Sequence, residues 1–298
     1  MKKSILVLGA SGMLGSMVYD YLSKHSRHRV EGTTRRRTKK DYRHFDAINF
    51  LYQEKKYQFL KYFNYLVNCI GIIKPYCEDN DPEGIFQAIS INALFPYRLS
   101  RFLQGSKTKV IQITTDCVYS GKSGNYYEDS RHDSLDVYGK TKSLGEVIAN
   151  NFLNIRCSII GFESGRNVSL LGWFLSQKNG AQLKGYAHHK WNGITTLQFA
   201  QLCQSIIDDN SFDQLRKTNH VYHYHPNKAV NKFELLKIFA DVFCKDYVIE
   251  KVSDVGEPID RTLSTRYSFF QPVNKISMKK AVKELRDYSQ RSDELLDN

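Results

Sequence analysis

The first half of the chain alternates short apolar runs with longer amphipathic stretches. Ile5–Leu8 forms an apolar run, and Leu14, Met17 and Val18 then recur at helical spacing. The same reading predicts further strands at 29–34, 46–48, 65–70, 110–113 and 155–160, and helices at 85–103 and 138–152. Strands that alternate with helices are typical of βαβ units on a parallel sheet. We therefore expect an α/β fold with a doubly wound parallel sheet.

The pattern becomes less regular after residue 160. Helices are predicted at 170–176, 195–207, 232–243 and 277–295, and strands at 220–224 and 247–252. These elements suit a smaller carboxyl-terminal lobe. We expect a cofactor-binding domain over 1–160 and a mainly substrate-binding lobe over 161–298, with some segments of the second half returning to the first domain.

A glycine-rich loop directly follows the first predicted strand and precedes the first helix. Its sequence is Gly9-Ala10-Ser11-Gly12-Met13-Leu14-Gly15. Glycines permit a tight turn and let the backbone approach a pyrophosphate, which then lies at the positive end of the helix. A plain strand-to-helix turn is the alternative. The context favours a Rossmann-like dinucleotide site, with predicted cofactor contacts from Gly9, Ser11, Gly12, Met13, Leu14 and Gly15.

The residues after the second strand indicate which dinucleotide is bound. An acidic residue there would bind a ribose 2′-hydroxyl, but this chain has Thr34-Arg35-Arg36-Arg37. A guanidinium group matches a 2′-phosphate in charge and in bidentate geometry. We therefore expect Arg35 and Arg36 to bind NADPH, in preference to NADH. The alternative is that these arginines belong to a solvated surface loop.

Composition and charge exclude several classes of protein. The chain has 298 residues, a formal net charge of +12 and six scattered cysteines without a C-x-x-C pair. This cysteine pattern indicates reduced thiols in a cytoplasmic protein and predicts no metal site. Met1–Ser4 lacks the apolar region of a signal peptide, and no apolar run could cross a membrane. No nucleic-acid-binding motif accompanies the basic charge, so we expect a polyanionic small molecule as ligand.

One tyrosine–lysine pair is placed where it could transfer a proton. Tyr138 and Lys142 lie one helical turn apart, and their helix follows the strand that ends at Thr114-Thr115. The carboxyl edge of a parallel sheet is where ligands bind. A nearby ammonium favours the phenolate and so lowers the pKa of a tyrosine towards neutrality. Thr115 can hydrogen-bond the carbonyl oxygen that Tyr138 would protonate.

Several motifs together resemble the extended short-chain dehydrogenase/reductases. They are the loop from Gly9 to Gly15, Asn68, Asn92, the run from Thr114 to Gly121 and the run from Tyr138 to Glu146. The branch that looks most similar is the dTDP-4-dehydrorhamnose reductases and related nucleotide-sugar 4-ketoreductases. The resemblance is strongest over 1–160 and weaker through Arg156, Asn192–Thr196 and Arg261–Ser264.

The resemblance implies NADPH-dependent reduction of the C4 keto group of a nucleotide-linked 4-keto-6-deoxy sugar, in the synthesis of surface-glycan precursors. Dimers are common among the relatives, so a homodimer is also considered. The implied catalytic residues are Thr115, Tyr138 and Lys142. Cofactor contacts are implied for Asp46, Asn68, Ile70, Gly71, Tyr138 and Lys142, and substrate contacts for Thr115, Asp116, Cys117, Asn167, Trp191, Asn192 and Arg261.

One departure from the family pattern leaves alternatives open. Dehydratase relatives carry an acidic pair after the threonine, whereas Asp116 is here followed by Cys117. GDP-fucose synthases, which epimerise and reduce, have a cysteine at this place, so Cys117 could serve in epimerisation or merely pack beside the substrate. A nucleotide-sugar epimerase or epimerase-reductase is one alternative function. A non-catalytic, cofactor-binding regulatory subunit is another, because a fold alone does not prove turnover.

Overall fold

The computed structural model describes residues 1–36, 41–163, 165, 167–253 and 255–292. The chain folds into two compact units. The first unit comprises 1–118, 134–156 and 199–222, and the second comprises 119–133, 157–198 and 223–298. The second unit therefore takes a segment from before residue 160, and the first takes one from after it. The predicted domain boundary at 160 stays a prediction. Arg37–Lys40, which belong to the basic run, lie outside the described residues.

The strands vary from two to six residues in length. In chain order they are β1 (Ser4–Leu8), β2 (Arg29–Thr34), β3 (Arg43–His44), β4 (Tyr65–Asn68), β5 (Lys109–Thr114), β6 (Phe152–Arg156), β7 (Ile159–Ile160), β8 (Gln182–Tyr186), β9 (His189–Trp191), β10 (Ile194–Thr195), β11 (Val221–His223), β12 (Val230–Asn231), β13 (Val248–Val252) and β14 (Ile259–Asp260).

The helices are likewise numbered in chain order. They are α1 (Met13–His25), α2 (Ala47–Gln53), α3 (Pro82–Ala88), α4 (Phe95–Phe102), α5 (Val137–Leu144), α6 (Leu170–Leu175), α7 (Thr196–Asp208), α8 (Phe212–Thr218), α9 (Lys232–Val242) and α10 (Met278–Arg291). Short 3-10 turns cover Glu54–Tyr62, Lys74–Tyr76 and Asp116–Val118, and a π-helical segment, Ile89–Leu94, joins α3 to α4.

A seven-stranded sheet with the order β11-β6-β5-β4-β1-β2-β3 organises the first unit. The pairs from β6 through to β3 are all parallel. Every residue of β4 is buried, as expected for a strand covered on both faces. An aromatic cluster of Phe45, Phe50, Tyr57, Phe95 and Phe102 forms part of the core beside the sheet. The predicted doubly wound, Rossmann-like sheet is confirmed.

Three predicted elements are wrong. The single strand predicted at 155–160 is instead two strands in different sheets, β6 and β7. The third strand is not at Asp46–Ile48 but at Arg43–His44, and Asp46 instead caps α2 by accepting a hydrogen bond from the Asn49 amide (2.9 Å). The helix predicted over 138–152 ends at Leu144. A Cβ on Gly145 would lie 1.9 Å from the Asn92 carbonyl oxygen, so the chain makes a close backbone contact there and then enters β6.

The second unit contains three small sheets. β7 pairs with β10 and β8 with β13, both in parallel, and β9 lies between β12 and β14. Its longer helices are α9, which begins with a capping box at Asn231 and Glu234, and α10. Within the described part of the chain, every helix is too short or too polar to cross a membrane.

A buried ion pair links the end of β6 to the segment after α5. Arg156 is 1 % exposed and Glu146 6 % exposed. The guanidinium donates hydrogen bonds to both carboxylate oxygens at 2.9 and 2.6 Å, and the Thr114 hydroxyl donates a third at 2.8 Å. The pair therefore joins β5, β6 and the chain after α5.

We expect Arg156→Ala to lower the free energy of unfolding by about 3–5 kcal/mol, because it leaves the Glu146 carboxylate buried without its counter-charge. Lys279→Ala, which breaks an exposed pair with Asp241 (2.8 Å), should cost at most about 1 kcal/mol. Equilibrium denaturation in urea measures both values. An equal loss of unfolding free energy in the two variants would contradict a stabilising role for the buried Arg156–Glu146 pair.

Candidate active site

A cleft of about 220 Å³ lies at the carboxyl edge of the sheet in the first unit. It is formed where β1, β2 and β4 end, which is the place where parallel sheets bind ligands. Its lining combines the glycine loop, the end of β2, the start of α2 and the segment after β4. The lining residues are Gly9, Ser11, Gly12, Thr34, Arg35, Phe45, Asp46, Ala47, Ile48, Cys69, Ile70, Gly71, Ile72 and Ile91.

The glycine loop is shaped by backbone geometry that other residues would not permit. Gly9 has a φ of +79°, and a Cβ on Gly15 would lie 2.1 Å from the Gly9 carbonyl oxygen. A Cβ on Gly12 would meet only the Gly9 oxygen, at 3.5 Å, so this position is open. Gly12 precedes the first residue of α1, whose backbone amides face the loop with the positive end of the helix dipole. This arrangement fits the pyrophosphate of a dinucleotide.

The end of β2 is tied to the glycine loop by hydroxyl groups. The Ser11 and Thr34 hydroxyls lie 3.0 Å apart, and Gly9 donates its amide to the Thr33 hydroxyl at 3.1 Å. Arg35 follows directly, is exposed and lines the cleft. A cationic side chain thus lies at the end of β2, beside the glycine loop. Asp46 lines the same cleft while capping α2.

Some predicted cofactor residues do not line this cleft. Leu14 is 5 % exposed and packs in the core. The Asn68 side chain donates to the Gln112 side chain at 2.9 Å and accepts from the Ile70 amide at 3.2 Å, so it supports the cleft from behind. Met13, Gly15 and Arg36 are also not among the lining residues. Their proposed contacts with a cofactor stay predictions.

Lys142 connects α5 to the cleft. The side chain is buried, and its ammonium donates to the Ile113 carbonyl at 3.2 Å, at the end of β5. A Cβ on Gly71 would lie 3.9 Å from the Lys142 Nζ, and Gly71 lines the cleft. Tyr138 is on the same face of α5, one turn earlier. The Lys142 side chain therefore extends from the helix that carries Tyr138 to the edge of the cleft.

Thr115 is hydrogen-bonded to its neighbours and to Tyr138. Its hydroxyl accepts the Cys117 amide at 3.1 Å, donates to an Asp116 carboxylate oxygen at 3.3 Å and is hydrogen-bonded to the Tyr138 phenol. Asp116 is buried, and the Cys117 thiol is near enough to Tyr138 to act on it electrostatically. The structure thus brings Thr115, Cys117 and Tyr138 together.

Burial raises the pKa of the Tyr138 phenol well above its usual range. The Cys117 thiol adds to this rise, whereas the hydrogen bond with Thr115 lowers the pKa. The Tyr-x-x-x-Lys spacing predicts a lowered pKa for this phenol, so the shift is opposite to the prediction. A raised pKa keeps the phenol protonated at neutral pH, which is the form that can donate a proton to a substrate oxygen.

Asn92 joins the cleft to the helix of Tyr138. Its side-chain oxygen accepts the Ile72 amide at 2.9 Å, and its side-chain nitrogen donates to the Ile72 carbonyl at 3.0 Å and the Thr141 hydroxyl at 3.3 Å. It lies in the π-helical segment, a distortion frequent at functional sites. The residue is 3 % exposed, and these hydrogen bonds give it a structural role.

The predicted substrate residues of the second half belong to the second unit. The Asn192 amide is engaged by the backbone of Leu263, with hydrogen bonds of 2.8 and 2.9 Å. Trp191 is buried beneath the Lys232 ammonium, 5.0 Å from the ring centroid. The Arg261 guanidinium donates to the Tyr119 carbonyl at 3.0 Å, and Asn167 is exposed. Substrate contacts of these four residues stay predictions.

Several lining residues were not predicted from the sequence. Phe45, Ala47 and Ile48 reach the cleft because α2 begins where a strand was expected. Cys69 and Ile72 lie next to Ile70 and Gly71, for which cofactor contacts are predicted. That adjacency is the signal in the sequence by which they could have been found. Within the described ranges, no group of three or more His, Cys, Asp or Glu side chains is placed to hold a metal ion.

Comparison with known sequences identifies relatives over most of the chain. The family model described as "RmlD substrate binding domain" matches residues 1–276. Curated relatives include the methionine adenosyltransferase 2 subunit beta of Bos taurus, which is 24% identical over 250 residues, covering 81% of this chain and 72% of that protein. The Xenopus laevis protein of the same name is 25% identical over 248 residues, with 80% and 71% covered.

Solved structures with the same fold include dTDP-4-dehydrorhamnose reductases. The Clostridium acetobutylicum enzyme has a TM-score of 0.75 and 21% identity, covering 96% of this chain and 99% of that one. The Bacillus anthracis enzyme, solved in complex with NADP, has a TM-score of 0.76 and 16% identity, with 97% and 100% covered. The dTDP-glucose 4,6-dehydratase of the same bacterium, in complex with NAD, has a TM-score of 0.71 and 17% identity, with 99% and 98% covered.

Proposed function

Because this chain belongs to the RmlD substrate-binding domain family, we propose that it reduces the C4 keto group of a nucleotide-linked 4-keto-6-deoxy sugar with NADPH. The observation that carries this proposal is the position of the Lys142 ammonium, beside Gly71 at the cleft and one helical turn from Tyr138. A dinucleotide cleft and a proton donor thus share one edge of the sheet. This juxtaposition is what a carbonyl reductase needs.

The residues that line the cleft support the proposal of a dinucleotide phosphate as cofactor. The open face at Gly12 would hold the pyrophosphate at the start of α1, and Arg35 would pair with a 2′-phosphate. When bound, the reduced nicotinamide supplies the hydride. Solved relatives in complex with NADP and with NAD exist, so the preference for NADPH depends on Arg35.

The chain's own residues would supply the proton and the orientation. Tyr138, kept protonated by burial, would donate its phenolic proton to the carbonyl oxygen. Thr115 would hydrogen-bond the same oxygen, and the Lys142 ammonium would stabilise the phenolate that remains. Asp116 and Cys117 would border the sugar.

A regulatory role is a second candidate function. The curated relatives that support it are named as subunits of methionine adenosyltransferase, not as reductases. A chain of that kind could bind a dinucleotide and a protein partner without turnover. NADPH oxidation in stoichiometric proportion to a keto-sugar nucleotide would support the reductase, and binding of NADPH without any oxidation across a panel of such sugars would support the regulatory role.

Tyr138→Phe should lower kcat for keto-sugar reduction by about 10²–10⁴-fold, because the general acid is lost. The affinity for NADPH should stay within about twofold, since the phenylalanine keeps the ring. Tyr52→Phe is the matched control, because Tyr52 has a lysine at the same spacing but is 74% exposed. Steady-state kinetics and cofactor titration measure both effects, and a Tyr138→Phe enzyme with wild-type kcat would contradict the assignment.

Arg35→Asp should shift the cofactor preference towards NADH. A hydrogen bond to a charged group contributes about 1.5–3 kcal/mol, so NADPH should bind about tenfold or more weakly. Arg101→Asp, an equal charge change on α4, should leave the ratio of the two affinities unchanged. An unaltered ratio in Arg35→Asp would place the 2′-phosphate elsewhere.

We also propose that the chain forms a homodimer through one face of the first unit, here called the α3–α5 face. α5 packs against α3 and the π-helical segment, and large apolar side chains on this surface are exposed, with Ile148 at 72%. Exposed apolar patches mark interaction surfaces. The face consists of Phe86, Ile89, Leu94, Tyr97, Leu144 and Ile148.

Light scattering with size-exclusion chromatography should show a dimer for the wild type and a monomer for the double variant Phe86→Asp, Ile148→Asp, because burying two carboxylates opposes association. Tyr62→Asp removes an equally exposed apolar ring outside this face and should remain dimeric. A monomeric wild type, or a dimeric double variant, would contradict this interface.

A further inference from the structure

A segment between β4 and α3 holds the start of α5. We call residues 72–81 the strap. It begins at Ile72, which Asn92 holds through both its backbone groups, and it ends at Asp81, which caps α3. Between these anchors, Tyr76 and Cys77 donate their amides to the carbonyls of Ile73 and Lys74. The strap is thus fixed at both ends and folded on itself.

Two strap side chains reach the first turn of α5. An Asp79 carboxylate oxygen accepts the Val137 amide at 2.7 Å. The Lys74 ammonium contacts one oxygen of the Asp136 carboxylate at 2.7 Å, while the other oxygen accepts the Gly139 amide at 2.7 Å. The strap therefore binds the helix start directly through Asp79 and indirectly through the capping residue.

The two backbone amides bound by these carboxylates belong to the residues on either side of Tyr138. Val137 and Gly139 are the immediate neighbours of Tyr138, which is the second residue of an eight-residue helix. A helix this short has little stability of its own, and its first amides have no partner within the helix. Carboxylates at these amides satisfy them and interact favourably with the helix dipole. Without Asp79, the first turn would lose one of the two carboxylates that the described residues place at its amides.

One strap side chain also acts electrostatically on the tyrosine. Cys77 is buried, donates its thiol to the Ile73 carbonyl at 3.4 Å and is near enough to Tyr138 to contribute to the raised pKa of the phenol. Asp79 and Lys74 thus act on the backbone of the tyrosine's turn, and Cys77 lies near its side chain.

We propose that Asp79 and Lys74 are positioning residues, which fix the first turn of α5 and thereby direct the Tyr138 phenol towards Thr115. Neither residue needs to touch the substrate for this role. The catalytic consequence depends on the proposed reductase function, whereas the effect on the helix does not. The two effects can therefore be measured separately.

Amide hydrogen exchange tests the effect on the helix without any turnover. In Asp79→Ala, we expect the amides of Val137–Gly139 to exchange at least about tenfold faster, because the lost acceptor frees the turn to open. Asp79→Asn keeps an acceptor oxygen and should show a smaller increase. Glu78→Ala, an exposed neighbour on the same strap, should exchange like the wild type. Unchanged exchange in Asp79→Ala overturns the proposal, whether or not the chain is a reductase.

Single-turnover reduction of a keto-sugar nucleotide tests the catalytic consequence. Asp79→Ala should lower the rate about 10–100-fold with the affinities for the sugar nucleotide and for NADPH nearly unchanged, since a small misplacement of a catalytic group has effects of that size. Asp79→Asn should recover most of the rate. When Tyr138 is already phenylalanine, Asp79→Ala should cause no further loss.

The outcomes distinguish the two proposals. Faster exchange together with an inactive wild type contradicts the reductase function and supports the strap's hold on α5. An active wild type whose rate is unaffected by Asp79→Ala, or an equal further loss in the Tyr138→Phe background, contradicts positioning through Tyr138.

Discussion

The side-chain amide of Asn92 is the interaction on which the arrangement of the site depends. Its oxygen and nitrogen bind both backbone groups of Ile72, and its nitrogen also reaches the Thr141 hydroxyl in the middle of α5. A short asparagine can do this because the helix around it widens into a π turn. The same widening brings the Asn92 carbonyl against Gly145, where only a residue without a side chain fits. One residue thus holds the cleft, the strap and α5 together.

Buried amides behind the sheet fix the other end of α5. Asn68 on β4 donates to Gln112 on β5, and Gln112 donates to the Gly145 carbonyl at 2.8 Å and to Asn154 on β6 at 3.3 Å. Asn154 in turn donates to the Val147 carbonyl at 3.0 Å. Buried amides that satisfy one another fix a single arrangement, because a broken member would leave polar groups unpaired. The chain after α5 is therefore held by side chains from β5 and β6, and Asn68 on β4 supports one of them.

Local signals in the sequence predicted the elements that carry chemistry. The glycine loop, the strands β1, β2, β4 and β5 and the Tyr138–Lys142 spacing depend on residues close together in the chain, and those strands form as predicted. The sequence could not show that Asp46 caps a helix, since aspartate at a strand end follows the same local pattern. The cofactor contact of Asn68 stays a prediction, and the hydrogen bond that the structure gives its side chain is to Gln112, 44 residues away. Contacts between residues so far apart in the chain produce no periodic pattern in the sequence.

The direction of the Tyr138 pKa constrains the chemistry that the site can perform. Desolvation favours the neutral phenol, and a neutral phenol can give a proton but takes one only after it has been ionised. The proposed reduction of a carbonyl requires the protonated donor, and the raised pKa of Tyr138 agrees with that proposal. The reverse oxidation would begin from the phenolate and so would need the Lys142 ammonium to outweigh the burial. The same ammonium lies beside Gly71 at the cleft. The partly buried Tyr138 phenol is thus in its proton-donating form, and recovery of that proton would depend on Lys142, one helical turn along α5.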